Sequence, residues 1–162
     1  MYCMKSFFSQ KKSRGFMLLQ LMIGIVVIGI LSGVVALNLG TFLGHQAIDN
    51  GVGDVTALLD EARSRTLAHE SGSQYGVHLE TTKAVLFSGT TYSSTAVDNR
   101  VVLIDRSAEI TSISLTGGGS DVIFDSLTGD TEEDGTFVVR EAASTSGAKT
   151  VTITHAGQAS SR

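Results

Sequence analysis

The chain has 162 residues, with 12 Lys and Arg against 16 Asp and Glu, one Cys and no Pro. That length suits one domain with an appended segment, and a lone thiol, Cys3, excludes an intramolecular disulfide. Four of the basic residues and none of the acids precede Phe16, so the remainder carries eight basic against sixteen acidic residues, a net of −8; a body of that sign excludes a general nucleic-acid surface, whose footprint is a basic face.

Residues 1–15 form a short basic leader containing Lys5, Lys11, Lys12 and Arg14. Residues 16–37 follow as an uncharged run in which Gln20 and Ser32 are the only polar side chains. As a helix this stretch spans about 33 Å at 1.5 Å per residue, enough to cross a hydrocarbon core of about 30 Å. A core helix of a small soluble domain needs a polar face, and this segment has none. The basic flank predicts a single pass with the N-terminus cytoplasmic and the remainder beyond the membrane.

Over residues 38–72 the pattern becomes amphipathic. Ile48, Val52, Val55, Leu59, Ala62 and the pair Thr66 and Leu67 recur at steps of three and four, with Asp49, Asp54, Asp60, Glu61, Arg63 and Arg65 between them. The spacing predicts one long helix, apolar in its first half and amphipathic in its second. Gly40, Gly44, Gly51 and Gly53 are expected to bend or melt it, each costing up to about 1 kcal/mol relative to Ala, and Ser71-Gly72 to end it.

From Tyr75 onward the period is two. Strands are expected over 75–80, 83–88, 100–105, 109–115, 121–125, 136–140 and 150–155, rich in Val, Ile, Thr and Phe. Short loops between them favour an antiparallel meander, one face of which would bury the amphipathic half of the helix. The Ser- and Thr-rich tract 88–98 reads as a loop. The fold class is therefore α+β: a long N-terminal helix, half transmembrane and half amphipathic, packed on an antiparallel β domain over 73–162.

The run Lys11-Lys12-Ser13-Arg14-Gly15-Phe16, followed at once by the apolar stretch, resembles the leader of type IV prepilins and type II secretion pseudopilins. The resemblance implies cleavage by a prepilin peptidase between Gly15 and Phe16 on the cytoplasmic side, N-methylation of Phe16, and an apolar helix kept as filament core. Gln20 departs from the pattern: the fifth residue after the cut is normally a glutamate, thought to pair with an N-terminal ammonium. Gln accepts a hydrogen bond but carries no charge, so the ion pair is absent. Two plainer readings compete: an uncut single-pass anchor, and an ordinary secretory signal cut near Val34-Val35-Ala36. The second would need an h-region longer than the usual 7–15 residues.

Three further stretches resemble the GspH/FimT family, the H-type minor pseudopilins and related minor pilins. Glu61-Ala62-Arg63-Ser64-Arg65-Thr66-Leu67-Ala68 is similar to that family's "ARSEA" helix end. Val122-Ile123-Phe124-Asp125-Ser126-Leu127-Thr128-Gly129 is similar to its strand and F-x-x-x-G turn, and Val151-Thr152-Ile153-Thr154-His155-Ala156-Gly157 to its closing strand and glycine. The resemblance implies a minor subunit of a secretion pseudopilus or type IV pilus, at the inner membrane. Its partners would be other pilins, the inner-membrane assembly platform and the peptidase. Some members bind DNA through basic C-terminal residues, often an arginine just after the last glycine. Here Gln158 holds that place and Arg162 is the one basic residue of the tail, so nucleic acid is not an expected partner. The alternative within the resemblance is a tip module whose loops, 88–98 or 129–135, contact a surface, a secreted substrate or DNA.

Asp130-Thr131-Glu132-Glu133-Asp134-Gly135, with Glu141 at the twelfth place, approaches a calcium-loop pattern but lacks flanking helices. An acidic hairpin turn is the plain reading, and Asp130, Glu132 and Asp134 are the calcium candidates. His45, His69, His78 and His155 lack metal-ligand spacing; the first two fall on helical and the last two on strand patterns. No Gly-x-Ser-x-Gly elbow is present, Gly117-Gly118-Gly119 lacks the lysine and helix of a phosphate cradle, and neither catalysis nor a cofactor is expected.

Overall fold

A computed structural model describes residues 14–143 and 147–162, except for the side chains of residues 14 and 34–41. Most of the basic leader, residues 1–13, and residues 144–146 of the loop before the last expected strand lie outside the described residues. The chain divides after Gly40 into two compact units.

Helix α1 is assigned from Arg14 to Leu67. In the first unit its stretch Gly15–Gly33 has a mean hydropathy of 2.4 and no buried residue, and it is long and apolar enough to cross a membrane. Every large side chain there presents its apolar surface outward; Phe16 and Leu18 are each about two-thirds exposed. Water disfavours such a surface by about 25 cal/mol per Å².

The second unit begins at Thr41. Its part of α1 buries Ala47, Ile48, Val52, Val55, Leu58, Leu59 and Ala62, the stripe the three-and-four spacing predicts. Leu67, expected on that stripe, is instead 44% exposed at the helix end. The helix runs unbroken through Gly44, Gly51 and Gly53, so the expected melting does not occur there. At Gly51 the glycine serves close approach: a Cβ would lie 3.4 Å from both Ile104 and Val139. At Gly44 a Cβ would meet the carboxylate of Glu141. After Leu67 the chain passes through His69 in the left-handed conformation into a 3-10 turn, Glu70–Gly72, which is where Ser71-Gly72 marks the stop.

Eight strands follow: β1 Tyr75–Glu80, β2 Lys83–Ser88, β3 Arg100–Leu103, β4 Ala108–Leu115, β5 Asp121–Ile123, β6 Gly135–Glu141, β7 Ala148–Ile153 and β8 Ala159–Ser161. They do not form one meander. They form two antiparallel sheets of four, ordered β3-β2-β1-β5 and β4-β6-β7-β8. The chain changes sheet after β3, after β4 and after β5, so the acidic segment between β5 and β6 is a crossover and not the hairpin turn that was expected. In β4 the register slips between Thr111 and Ser114, where Ser112 has φ 50°; this bulge sets two residues of β4 against one of β6.

The core lies where α1 meets both sheets. Val77, Leu79, Ala84, Leu86 and Val122 come from the first sheet, and Ile110, Phe137, Val139, Val151 and Ile153 from the second. Phe124, on the crossover, is fully buried with them. Each such large side chain contributes about 1.5–3 kcal/mol relative to exposure. The α+β class read from the sequence is the class observed: an apolar N-terminal helix, with the helical stretch of the second unit packed on antiparallel sheets.

Candidate functional site

Two regions carry the residues singled out by sequence. The first is the start of α1. Gly15 and Phe16 lie within its first turn, on helical backbone, and no neighbour stands within 4 Å of the place a Gly15 Cβ would occupy. Both residues are exposed at the start of the apolar stretch. Gln20 is exposed one turn further on.

The second region is the crossover between β5 and β6. Here the backbone is held by its own hydrogen bonds. Gly129 N–H donates to Asp125 O and Asp125 N–H to Asp130 O, both at 2.9 Å, and Thr131 N–H donates to His155 O at 2.8 Å. Thr131 is almost fully buried. Its hydroxyl donates to Glu133 Oε2 at 3.1 Å and accepts from Glu133 N–H at 3.2 Å. Glu133 Oε2 also accepts from Ile123 N–H at 3.2 Å, so this carboxylate occupies the open edge of β5.

These bonds shape a cleft of about 520 Å³ whose walls include Thr90 of the 88–98 tract, Ile123, Asp125, Asp130, Glu132 and His155. The calcium candidates divide: Asp130 and Glu132 line the cleft, Asp134 does not, and Glu141 ends β6 against Gly44. Among the described residues, no group of three or more His, Cys, Asp or Glu side chains is placed to hold a metal ion. The calcium-loop pattern fails because its twelfth residue is drawn away along a strand.

The sequence singled out 88–98 and 129–135 as separate loops and did not show that they share a cleft. It is made where two loops 30 or more residues apart are brought together by the β1–β5 pairing, which joins Gly76 to Ile123 and His78 to Asp121. His78 lies in β1 as its pattern suggested. His155 lies just past the end of β7, and not within a strand as its pattern suggested, because β7 stops at Ile153. The signal that could have located the site is the density of small and acidic residues over 125–135, which marks a segment without strand propensity between two strands.

Where the helix end meets this region, Arg63 Nε donates to Gly129 O at 2.9 Å. Arg65 bonds Glu61 at 2.7 Å and stands 5.8 Å above the Tyr75 ring. Burial pulls the Arg65 guanidinium toward its neutral form, but the Glu61 hydrogen bond and the charges of Glu70 and Glu61 outweigh this and raise it. The "ARSEA"-like segment is thus a structural joint: one arginine holds a turn and the other a chain of carboxylates.

No family model matches the chain, and neither a curated protein nor a solved structure matches it. The fold and the site define an α+β protein with an exposed apolar N-terminal helix and a loop-built acidic cleft.

Proposed function

We propose that this chain is a minor pilin or pseudopilin: a structural subunit of a type II secretion pseudopilus or type IV pilus, cut by prepilin peptidase and assembled from the inner membrane. One observation carries the reading. The basic leader ends at Gly15-Phe16, and at that point an uncharged, wholly unburied apolar stretch of helix begins. An ordinary anchor or secretory signal gives no reason for a glycine at that boundary. In this reading residues 16–37 insert with the N-terminus cytoplasmic, Phe16 becomes the methylated N-terminus, and the β domain lies outside the membrane. Other pilins, the assembly platform and the peptidase are its partners. The intact mass of protein extracted from membranes tests it. A chain lacking residues 1–15, with methylated Phe16, is expected; a mature chain beginning at Leu37 would sink the reading in favour of ordinary secretion.

A second reading, a tip module of such a filament, draws on the cleft. The two loops such a module would use meet there, since Thr90 and Asp130 line the same walls. Carboxylates at the mouth favour a polar or cationic contact and disfavour DNA. Gel retardation at low and moderate salt is therefore expected to show no DNA complex.

A further inference from the structure

The outer face of the β3-β2-β1-β5 sheet carries an arrangement that neither the cleft nor the helix explains. The centre of it is His78, in β1. Its Nδ1 meets the Asp121 carboxylate of β5, and its Nε2 stands 3.7 Å from Glu80 of its own strand. Glu80 already has a cation, Lys83 of β2, at 3.1 Å. Asp121 has no basic partner other than His78 among the described residues. From the solvent side Tyr92 lies flat on the His78 ring, with centroids 3.9 Å apart and planes within 9°.

Tyr92 belongs to the strap of residues 89–99 that joins β2 to β3. Every residue from 90 to 98 except Tyr92 is exposed. The strap is tied at its root by Gly89 N–H to Gln74 O and at its far end by Asn99 Nδ2 to Ser93 O, both at 2.7 Å. Between those ties Tyr92 is its one inward side chain, resting on His78 and, at 5.7 Å, on Phe87. Phe87 and its row neighbour Val85 are each only 1% exposed, yet neither belongs to the central core. In the same row, Val101 pairs with Val85 and Leu103 with Lys83, and both of these apolar residues are exposed.

We infer that His78 and Tyr92 form a pH-sensitive latch, in which the charge on His78 sets how firmly the 89–99 strap is held over the outer face of the sheet. Histidine is the side chain whose charge ordinarily changes between pH 5 and 8. The charged ring donates from both nitrogens, matches the lone charge on Asp121, and presents a cation to the face of Tyr92. The uncharged ring keeps one donor, leaves Asp121 unmatched, and turns a lone pair or a neutral N–H toward Glu80. Acid therefore closes the latch and alkali loosens it. Loosening uncovers Phe87 beside Val101 and Leu103, so the device controls an apolar strip.

Chymotrypsin reads the latch directly, because cutting after Tyr92 requires that ring to leave His78 and enter the protease. The full chain in detergent micelles is cut at pH 6 and at pH 8, and the rate after Tyr92 is divided by that of a free peptide of sequence 89–99. The ratio is expected to rise about threefold between the two pH values, the factor a part-exposed ion pair supplies. His78→Gln should give a high ratio that does not change with pH. Asp121→Asn keeps the ring and its stacking, and should reduce the rise. A flat ratio in the unmodified protein, or an undiminished rise in either variant, overturns the proposal.

Discussion

Arg63 and Gly157 meet over one atom. The Arg63 Nε–H donates to the Gly129 carbonyl oxygen at 2.9 Å, and a Cβ on Gly157 would fall 2.2 Å from that same oxygen and 3.1 Å from Arg63 Nε. Gly157 also has φ 69°, where a side chain is strained whatever the space around it. Three segments distant in sequence thus share a contact with no room for a methyl group. Gly157→Ala should lower unfolding stability by about 2 kcal/mol or more, read by urea unfolding in detergent. Arg63→Ala leaves the carbonyl without its donor and should cost about 1–3 kcal/mol.

Thr66 makes a similar test at the helix end. Its buried hydroxyl donates to Ala62 O at 2.8 Å and accepts from Tyr75 N–H at 2.9 Å, tying α1 to the first residue of β1. Thr66→Val keeps the shape and orphans the Tyr75 donor. A loss of about 1–3 kcal/mol is expected, and the Tyr75 amide should exchange with solvent faster in hydrogen-exchange measurements.

The turn between β3 and β4 carries a pH dependence. Ser107 N–H donates to Asp105 Oδ1 at 2.7 Å, and this backbone hydrogen bond, joined by the Ser107 hydroxyl, holds the Asp105 carboxyl below its ordinary value. A depressed carboxyl stabilises the fold at pH values above the unfolded-state pKa, and the gain is lost as pH falls through the folded-state value. Asp105→Asn should therefore be the less stable protein at neutral pH, and its Tm should converge on the parent's as the medium becomes more acid than about pH 4. A gap that persists in acid would contradict this.

The apolar stretch predicts its own disruption. Ile25 lies mid-way along Gly15–Gly33 and is 63% exposed. Ile25→Arg places a charge where membrane insertion of a helix costs about 2.5–3.5 kcal/mol. The variant should move from the carbonate-resistant membrane fraction to the soluble or aggregated fraction.

Gln20 offers the sharpest test of filament incorporation. If the proposed subunit lacks a docking acid, Gln20→Glu supplies one at the same place on the helix. The variant is expected to co-sediment with sheared filaments more abundantly than the parent, while cleavage after Gly15 is unchanged. Equal amounts in the filament fraction would mean that residue 20 does not govern docking.

The strands most legible in the sequence were those whose signal is local. β1 falls where Val77 and Leu79 alternate with His78 and Glu80, the side-chain period of a pleated strand, and β2 where the short apolar run Ala84–Phe87 follows the turn at Thr81-Thr82. β8 escaped notice because Ala159-Ser160-Ser161 has little strand preference and is ordered only by pairing with β7. The division into two sheets was hidden for a related reason. It depends on β5 choosing β1 as its neighbour, a pairing across more than forty residues that no local pattern encodes. Gly44 and Gly51 looked like weak points because helix propensity considers the helix alone, while Glu141, Ile104 and Val139 come from elsewhere in the chain. The start of the apolar stretch near Gly15-Phe16 could be read directly, since it is a contrast between adjacent residues. The cleft could not, since Thr90 and Asp130 become neighbours only after the sheet is assembled.

Glu133 has a consequence beyond the cleft. By accepting the Ile123 N–H, its carboxylate fills the place that a foreign strand would need on the border of β5. A border of unpaired amides recruits other chains, and the danger grows with crowding. With that amide already engaged, a second copy of this chain meets a carboxylate rather than a free donor at the border of β5.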